Sequence, residues 1–160
     1  MSAFPLQGFK AVLALPPVSV ASTTATQIAY VDLAGTGQVL ATANTGPINP
    51  CEGVLWILVH GASTSSSGGV FKITESDTYN GSPTAYADIP GAAKTLDVFT
   101  SGKFSCIYVA NRGRKRFQKA VVTTGATQIV SVFAIMCPTN KTPSIAADIS
   151  AACEEIVRVG

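Results

Sequence analysis

The sequence predicts an all-β fold, a β-sandwich or jelly-roll-like antiparallel barrel, and three observations carry that prediction. Short runs rich in β-branched and aromatic residues recur along the chain, as in 26–33 (TQIAYVDL) and 104–110 (FSCIYVA). Clusters of Gly, Pro, Ser and Asn separate them at short intervals. No strong helical period occurs before residue 140, so the runs must pair with one another to satisfy their backbones. An extended N-terminal arm (1–25) precedes the domain (26–140), and a short C-terminal helix or tail (141–160) follows it.

The arm carries Pro5, Pro16 and Pro17 and a single charge, Lys10. Proline fixes φ and offers no backbone donor, so an extended path is expected and not a helix. Phe4, Leu6 and Phe9 make the arm too apolar to stand in water, and they are interface candidates. Run 26–33 is the first strand, and Gly35-Thr36-Gly37 turns it into a second at 38–43. A Gly/Pro loop at 44–50 then leads to 54–62 (VLWILVHGA), which is apolar at alternate and intervening positions. Such a strand is expected at the centre of a sheet, covered on both faces.

After a polar loop at 63–69, the strand 70–76 alternates, with Phe71, Ile73 and Glu75 on one side and Val70, Lys72 and Thr74 on the other. Asn80-Gly81 marks a turn, and Gly91 is expected to end a short segment at 84–90. Hairpins are expected between 96–100 and 104–110, around Ser101-Gly102, and between 117–124 and 128–137, around Gly125. In the tail, Pro143 with Ile145, Ile149 and Ile156 spaces a helix over 143–155, while 156–159 could equally add an edge strand.

The chain has 160 residues, 47% of them hydrophobic but only 12% charged. A solvent-facing monomer usually keeps more charge than this, so much of the surface is expected to be covered by a partner or by copies of itself. The net charge of +2 implies no obligatory acidic partner. Cys51, Cys106, Cys137 and Cys153 are far apart and His60 is the lone histidine, so neither a metal nor a cofactor is expected. Cys106 and Cys137 lie in apolar runs and read as reduced, buried hydrophobes. The start lacks a cationic n-region and no apolar run reaches membrane-spanning length, so a soluble, unprocessed chain is expected.

Catalysis finds little support. His60 has no adjacent nucleophile motif, and Glu75 and Asp77 sit just before a turn, where solvated strand ends are expected. Gly35–Gly37 and Gly68-Gly69 lack the lysine and the following helix of a phosphate loop. Charge gathers at one place, the turn NRGRKR, where Arg112, Arg114, Lys115 and Arg116 stand between two strand-like runs. These could meet phosphates, or Arg114 and Arg116 could pair with a carboxylate; Glu75, Asp77 and Asp88 are the candidates.

Several motifs are similar to those of a known family. Tyr30-Val31-Asp32-Leu33, Glu75-Ser76-Asp77, Ala87-Asp88-Ile89 and Gly113-Arg114-Lys115-Arg116-Phe117 together resemble elements of small tailed-bacteriophage capsid cement (decoration, or head stabilisation) proteins. The resemblance spans about residues 26–140 and leaves the arm and tail outside it. It implies a non-enzymatic virion protein on the phage head, made in the host cytoplasm. Its partners would be the major capsid protein and its own copies, as trimers or dimers, with no membrane and no direct nucleic-acid contact. It also favours a structural role for the basic turn. A tail or portal-associated subunit and a nucleic-acid-binding β-module are the alternatives.

Overall fold

The computed structural model describes residues 10–20, 26–32, 51–61, 69–78, 86–96, 104–125, 127–138 and 153–159, with backbone alone for 10–12, 26–32, 51, 137–138 and 153–156. Nine strands run through these residues. They are β1 (Lys10–Val20), β2 (Thr26–Asp32), β3 (Cys51–His60), β4 (Gly69–Ser76), β5 (Ala87–Leu96), β6 (Phe104–Ala110), β7 (Phe117–Thr123), β8 (Gln128–Pro138) and β9 (Cys153–Val159). They form two sheets, with strand orders β1-β8-β3-β6-β9 (sheet A) and β2-β7-β4-β5 (sheet B). The protein is therefore an all-β sandwich.

Pairing is nested: β1 lies against β8, β2 against β7, β3 against β6 and β4 against β5, all antiparallel. Alternation explains how the layers close. Val54, Trp56 and Leu58 of β3 point inward with Val130, Val132 and Ala134 of β8, and they meet Phe71 and Ile73 of β4 and Ala120 and Val122 of β7 in one core. β3 is central, as its two apolar faces predict, with β8 and β6 on either side. On its outer face Leu55 is buried while Val59 is exposed.

Several expectations need correction. Residues 10–20 do not form an arm outside the domain. They are extended, but as the edge strand of sheet A, with Ala14 and Val20 in the core. Pro16 and Pro17 fit there because the register slips between Leu13 and Leu15 and again between Leu15 and Val18, so no β8 acceptor waits for their missing N–H groups. Ser131 repairs the slip by donating its hydroxyl to the Leu15 carbonyl at 2.9 Å.

The hairpin expected between 117–124 and 128–137 does not form, because β7 and β8 lie in different sheets and the link between them is an arch across the sandwich. For the other, residues 97–103 lie outside the described residues, but β6 is flanked on both sides, by β3 and β9, and β5 belongs to the other sheet. Turn residues signal a reversal of direction, which an arch and a hairpin share; the partner is chosen by the side-chain pattern of the whole strand. The sequence neighbours that do pair are β4 and β5. Gly91 does not end a strand either. β5 runs through Pro90 and Gly91 (φ 80°), which lie in a bulge opposite the Lys72/Thr74 register shift, on an edge strand where proline is tolerated.

At the C-terminus Cys153–Val159 is strand, parallel to β6, so a helix reaching residue 155 is excluded and the edge-strand alternative holds. Phe4, Leu6 and Phe9, the strand at 38–43, the Asn80-Gly81 turn and residues 143–152 lie outside the described residues.

Candidate functional site

The basic turn is where the sequence gathered its charge, and its backbone explains its shape. Asn111 donates its N–H to the Glu52 carbonyl (2.7 Å), extending the β3–β6 pairing by one step. Arg114 then donates its N–H back to the Asn111 carbonyl (3.1 Å), closing a four-residue turn with Gly113 at φ 74° in the third position. That conformation is easy for glycine and strained for other residues, which places glycine between the two arginines. The chain leaves sheet A through this turn and enters sheet B at Phe117.

Glu75, at the end of β4, is the organising carboxylate. Its Oε2 accepts the Lys115 N–H at 3.1 Å, and its Oε1 stands 3.8 Å from Arg114 Nη1, with both side chains largely buried. Lys115 Nζ reaches Asp77 at 3.3 Å, but that pair is well exposed. Asp88 does not join the turn; it pairs with Lys72 at 2.8 Å across β4 and β5. Arg116 stacks over the Phe117 ring, 4.8 Å from its centroid, and Arg112 is exposed. Of the residues singled out in the sequence, the fold thus brings together Arg114, Lys115, Glu75 and Asp77.

Glu75→Ala is expected to lower the free energy of unfolding by about 1–3 kcal/mol, because it leaves a largely buried guanidinium and a backbone N–H to find other partners. Asp77→Ala is expected to cost under about 1 kcal/mol, since its exposed pair is screened by water. Urea denaturation of the two variants checks the ranking.

Beneath the turn lies a polar connection that sequence reasoning missed. Gln118 is fully buried at an inward position of β7. Its Oε1 accepts the Trp56 indole N–H at 3.2 Å, and its Nε2 donates to Asn111 Oδ1 at 3.1 Å. One amide therefore ties the centre of sheet A, the middle of sheet B and the root of the turn. The signal was present in the sequence: a tryptophan inside a wholly apolar strand needs an acceptor for its N–H. Gln118 shares the inward parity of Ala120 and Val122.

The outer face of sheet B is charged. Lys119 lies almost wholly buried there, its Nζ 4.2 Å from the centroid of the Tyr86 ring. Burial pushes the Lys119 ammonium below its ordinary pKa of 10.5; nearby Lys72 adds to the shift and Asp88 opposes it. Because the folded value lies below the unfolded one, the unfolded chain binds more protons between the two. This residue's contribution to stability therefore rises as pH climbs through the folded pKa towards 10.5. Lys119→Met is expected to remove that component of the rise, as measured by the difference in denaturation midpoints of the two proteins at pH 7 and near pH 10.

The outer face of sheet A is different. Outward positions of β1, β8, β3 and β6 present Leu13, Ile129, Phe133, Ile57, Val59 and their neighbours without a charge among them, and Arg158 stands on the β9 edge. Four of the five exposed large hydrophobic side chains among the described residues, Leu13, Val59, Ile129 and Phe133, share this face. The sequence hid them because exposed and core-facing apolar residues alternate along the same strands.

His60 is buried at the end of β3, and Cys106 is a buried thiol in β6. Among the described residues no group of three or more His, Cys, Asp or Glu is placed to hold a metal ion, and no helix is long and apolar enough to cross a membrane. The chain matches no protein-family model, and neither a curated protein nor a solved structure is found to be similar to it.

Proposed function

We propose that the chain is a structural virion subunit, a cement or decoration protein that binds the major capsid protein on a tailed-phage head and bridges its neighbouring copies. The observation that carries this reading is the outer face of sheet A over β1, β8, β3 and β6, an apolar surface without charge on a chain with only 12% charged residues. An apolar patch of this kind marks an interaction surface when it is not an aggregation liability. We read the nested strand pairing as a jelly roll, an architecture that viral capsid proteins share with lectins and cupins; this is an analogy of fold and supports the reading only as such. The motif resemblance supports the same class.

In this reading the basic turn is a fastener. Glu75 and Asp77 already engage Arg114 and Lys115, which leaves less charge for phosphates than the sequence suggested. The chain would work as a non-enzymatic homo-oligomer, a dimer or trimer at a symmetric shell position.

Copy number on purified particles tests the proposal. Hundreds of copies per particle are expected; a few would make the chain a tail or portal-associated subunit, and none would overturn the virion reading. Phe133→Asp, at an exposed position, is expected to abolish attachment to the shell while leaving the fold intact. Attachment unchanged by that variant would remove sheet A as the docking face. The role of Phe4, Leu6 and Phe9 is tested by deleting residues 1–9 and no more, because a cut past Lys10 would strip β1 from its sheet.

A further inference from the structure

Each sheet of the sandwich ends in two edge strands, and an edge offers its outward backbone N–H and C=O groups to any further strand. Three of the four edges are blocked. β1 carries Pro16-Pro17 and slips register twice. β5 carries Pro90 in the bulge at Gly91. β9 slips register before Ile156 and holds Glu154, Glu155 and Arg158 among its seven residues. Prolines, bulges and charged residues are the devices by which edges avoid pairing.

β2 has none of these devices. Thr26–Asp32 (TQIAYVD) contains no proline, no glycine and no charge before its last residue. It pairs with β7 at all seven positions without a register shift. Among the described strands none lies beyond it. A regular edge of this kind is a template for another strand.

A second copy of the same strand fits the template. In antiparallel pairing about a two-fold axis, full overlap sets Ala29 opposite Ala29, Ile28 opposite Tyr30 and Thr26 opposite Asp32 of the other copy. The one charged position of the strand therefore meets a threonine position, and no like charges oppose each other. Each sandwich has one such edge, so the assembly closes at two copies. β1 and β2 contact each other at the same side of the sandwich. The axis therefore also sets the β1 and β8 regions of the two copies side by side, and with them the exposed Leu13, Ile129 and Phe133.

We propose that the protein is a two-fold dimer joined through β2, in which the four strands of sheet B run on into the four of a second copy. The dimer turns two apolar sheet A faces the same way, and two linked contacts hold a shell more firmly than either alone. This gives the homo-oligomer of the proposed function its geometry and rests on that part of the reading only.

The mass in solution, from light scattering on the size-exclusion peak, is expected to be twice that of one chain. Positions 28 and 30 stand opposite Val121 and Lys119, on the outer face of sheet B, where charge can be introduced without entering the core. Ile28→Lys/Tyr30→Lys and Ile28→Glu/Tyr30→Glu are each expected to halve the mass, because like charges then oppose one another across the axis. Mixing the two is expected to restore a dimer with one copy of each, which a folding defect would not do. A monomeric native protein, a variant that stays dimeric, or folded monomeric variants that fail to pair on mixing would overturn the proposal. If the variants fail to fold, hydrogen exchange of the native protein decides. Consecutive amides from 27 to 31 are expected to be protected, because β7 and the second copy each bind alternate ones. Protection at alternate residues only would equally overturn it. Attachment to particles is a separate measurement: a monomer that still attaches ends only the dimer, and a dimer absent from particles ends only the virion reading.

Discussion

Trp56→Ala is expected to lower the free energy of unfolding by about 3–5 kcal/mol, the range for truncating a large aromatic residue in a packed core. Trp56 is fully buried among residues of both sheets, so the cavity would open at the centre of the sandwich. The loss has a second component, because Gln118 Oε1 would be stranded without its donor. Trp56→Phe should keep most of the volume and isolate that polar part, at about 1–3 kcal/mol. Urea unfolding followed by circular dichroism measures both variants, since the native fluorescence probe is removed. A loss below about 1 kcal/mol for Trp56→Ala would contradict a well-packed centre.

Gly69→Ala is the second large effect, at about 2–3 kcal/mol, an overpacking cost. A methyl group at this position would run into the backbone carbonyl oxygen of Thr123, with Thr124 Cα 3.1 Å and Thr123 C 3.2 Å away. These are backbone atoms at the end of β7, fixed by pairing with β4 and β2, and they cannot rotate aside. Gly61 is the control. Its nearest neighbour would be the Ile129 carbonyl oxygen at 3.6 Å, so Gly61→Ala should stay within about 0.5 kcal/mol. Thermal denaturation of the two variants side by side gives the comparison.

The legibility of this chain was uneven, for identifiable reasons. Period-2 alternation and turn chemistry were enough for the sandwich class and for the central place of β3, because Val54 to Leu58 cannot be half solvated. Strand partnership was not legible. Ser101-Gly102 and Gly125 are turn signals in the sequence, and nothing local in such a signal separates an arch between sheets from a hairpin within one. β1 was masked by its prolines, which argue against a central strand but permit an edge strand with slipped register. At the basic turn, charge made Arg114 conspicuous, and a carboxylate two strands away was a reasonable partner to expect. Choosing Glu75 over Asp88 needed the β4–β7 register, which sets Glu75 beside Gln118 and leaves Asp88 to Lys72. Gln118 itself gave no compositional signal, since a buried amide looks like a surface one until its strand parity is known.

Nested pairing also sets the order in which the protein can be completed during synthesis. β1 is made well before its partner β8, with β2 to β7 emerging between them, and β9 closes the far edge only after that. Through most of translation the growing chain must therefore carry β1 and β3 without their β8 neighbour. Non-local pairing of this kind slows folding and prolongs the time in which apolar strands can associate with the wrong chain.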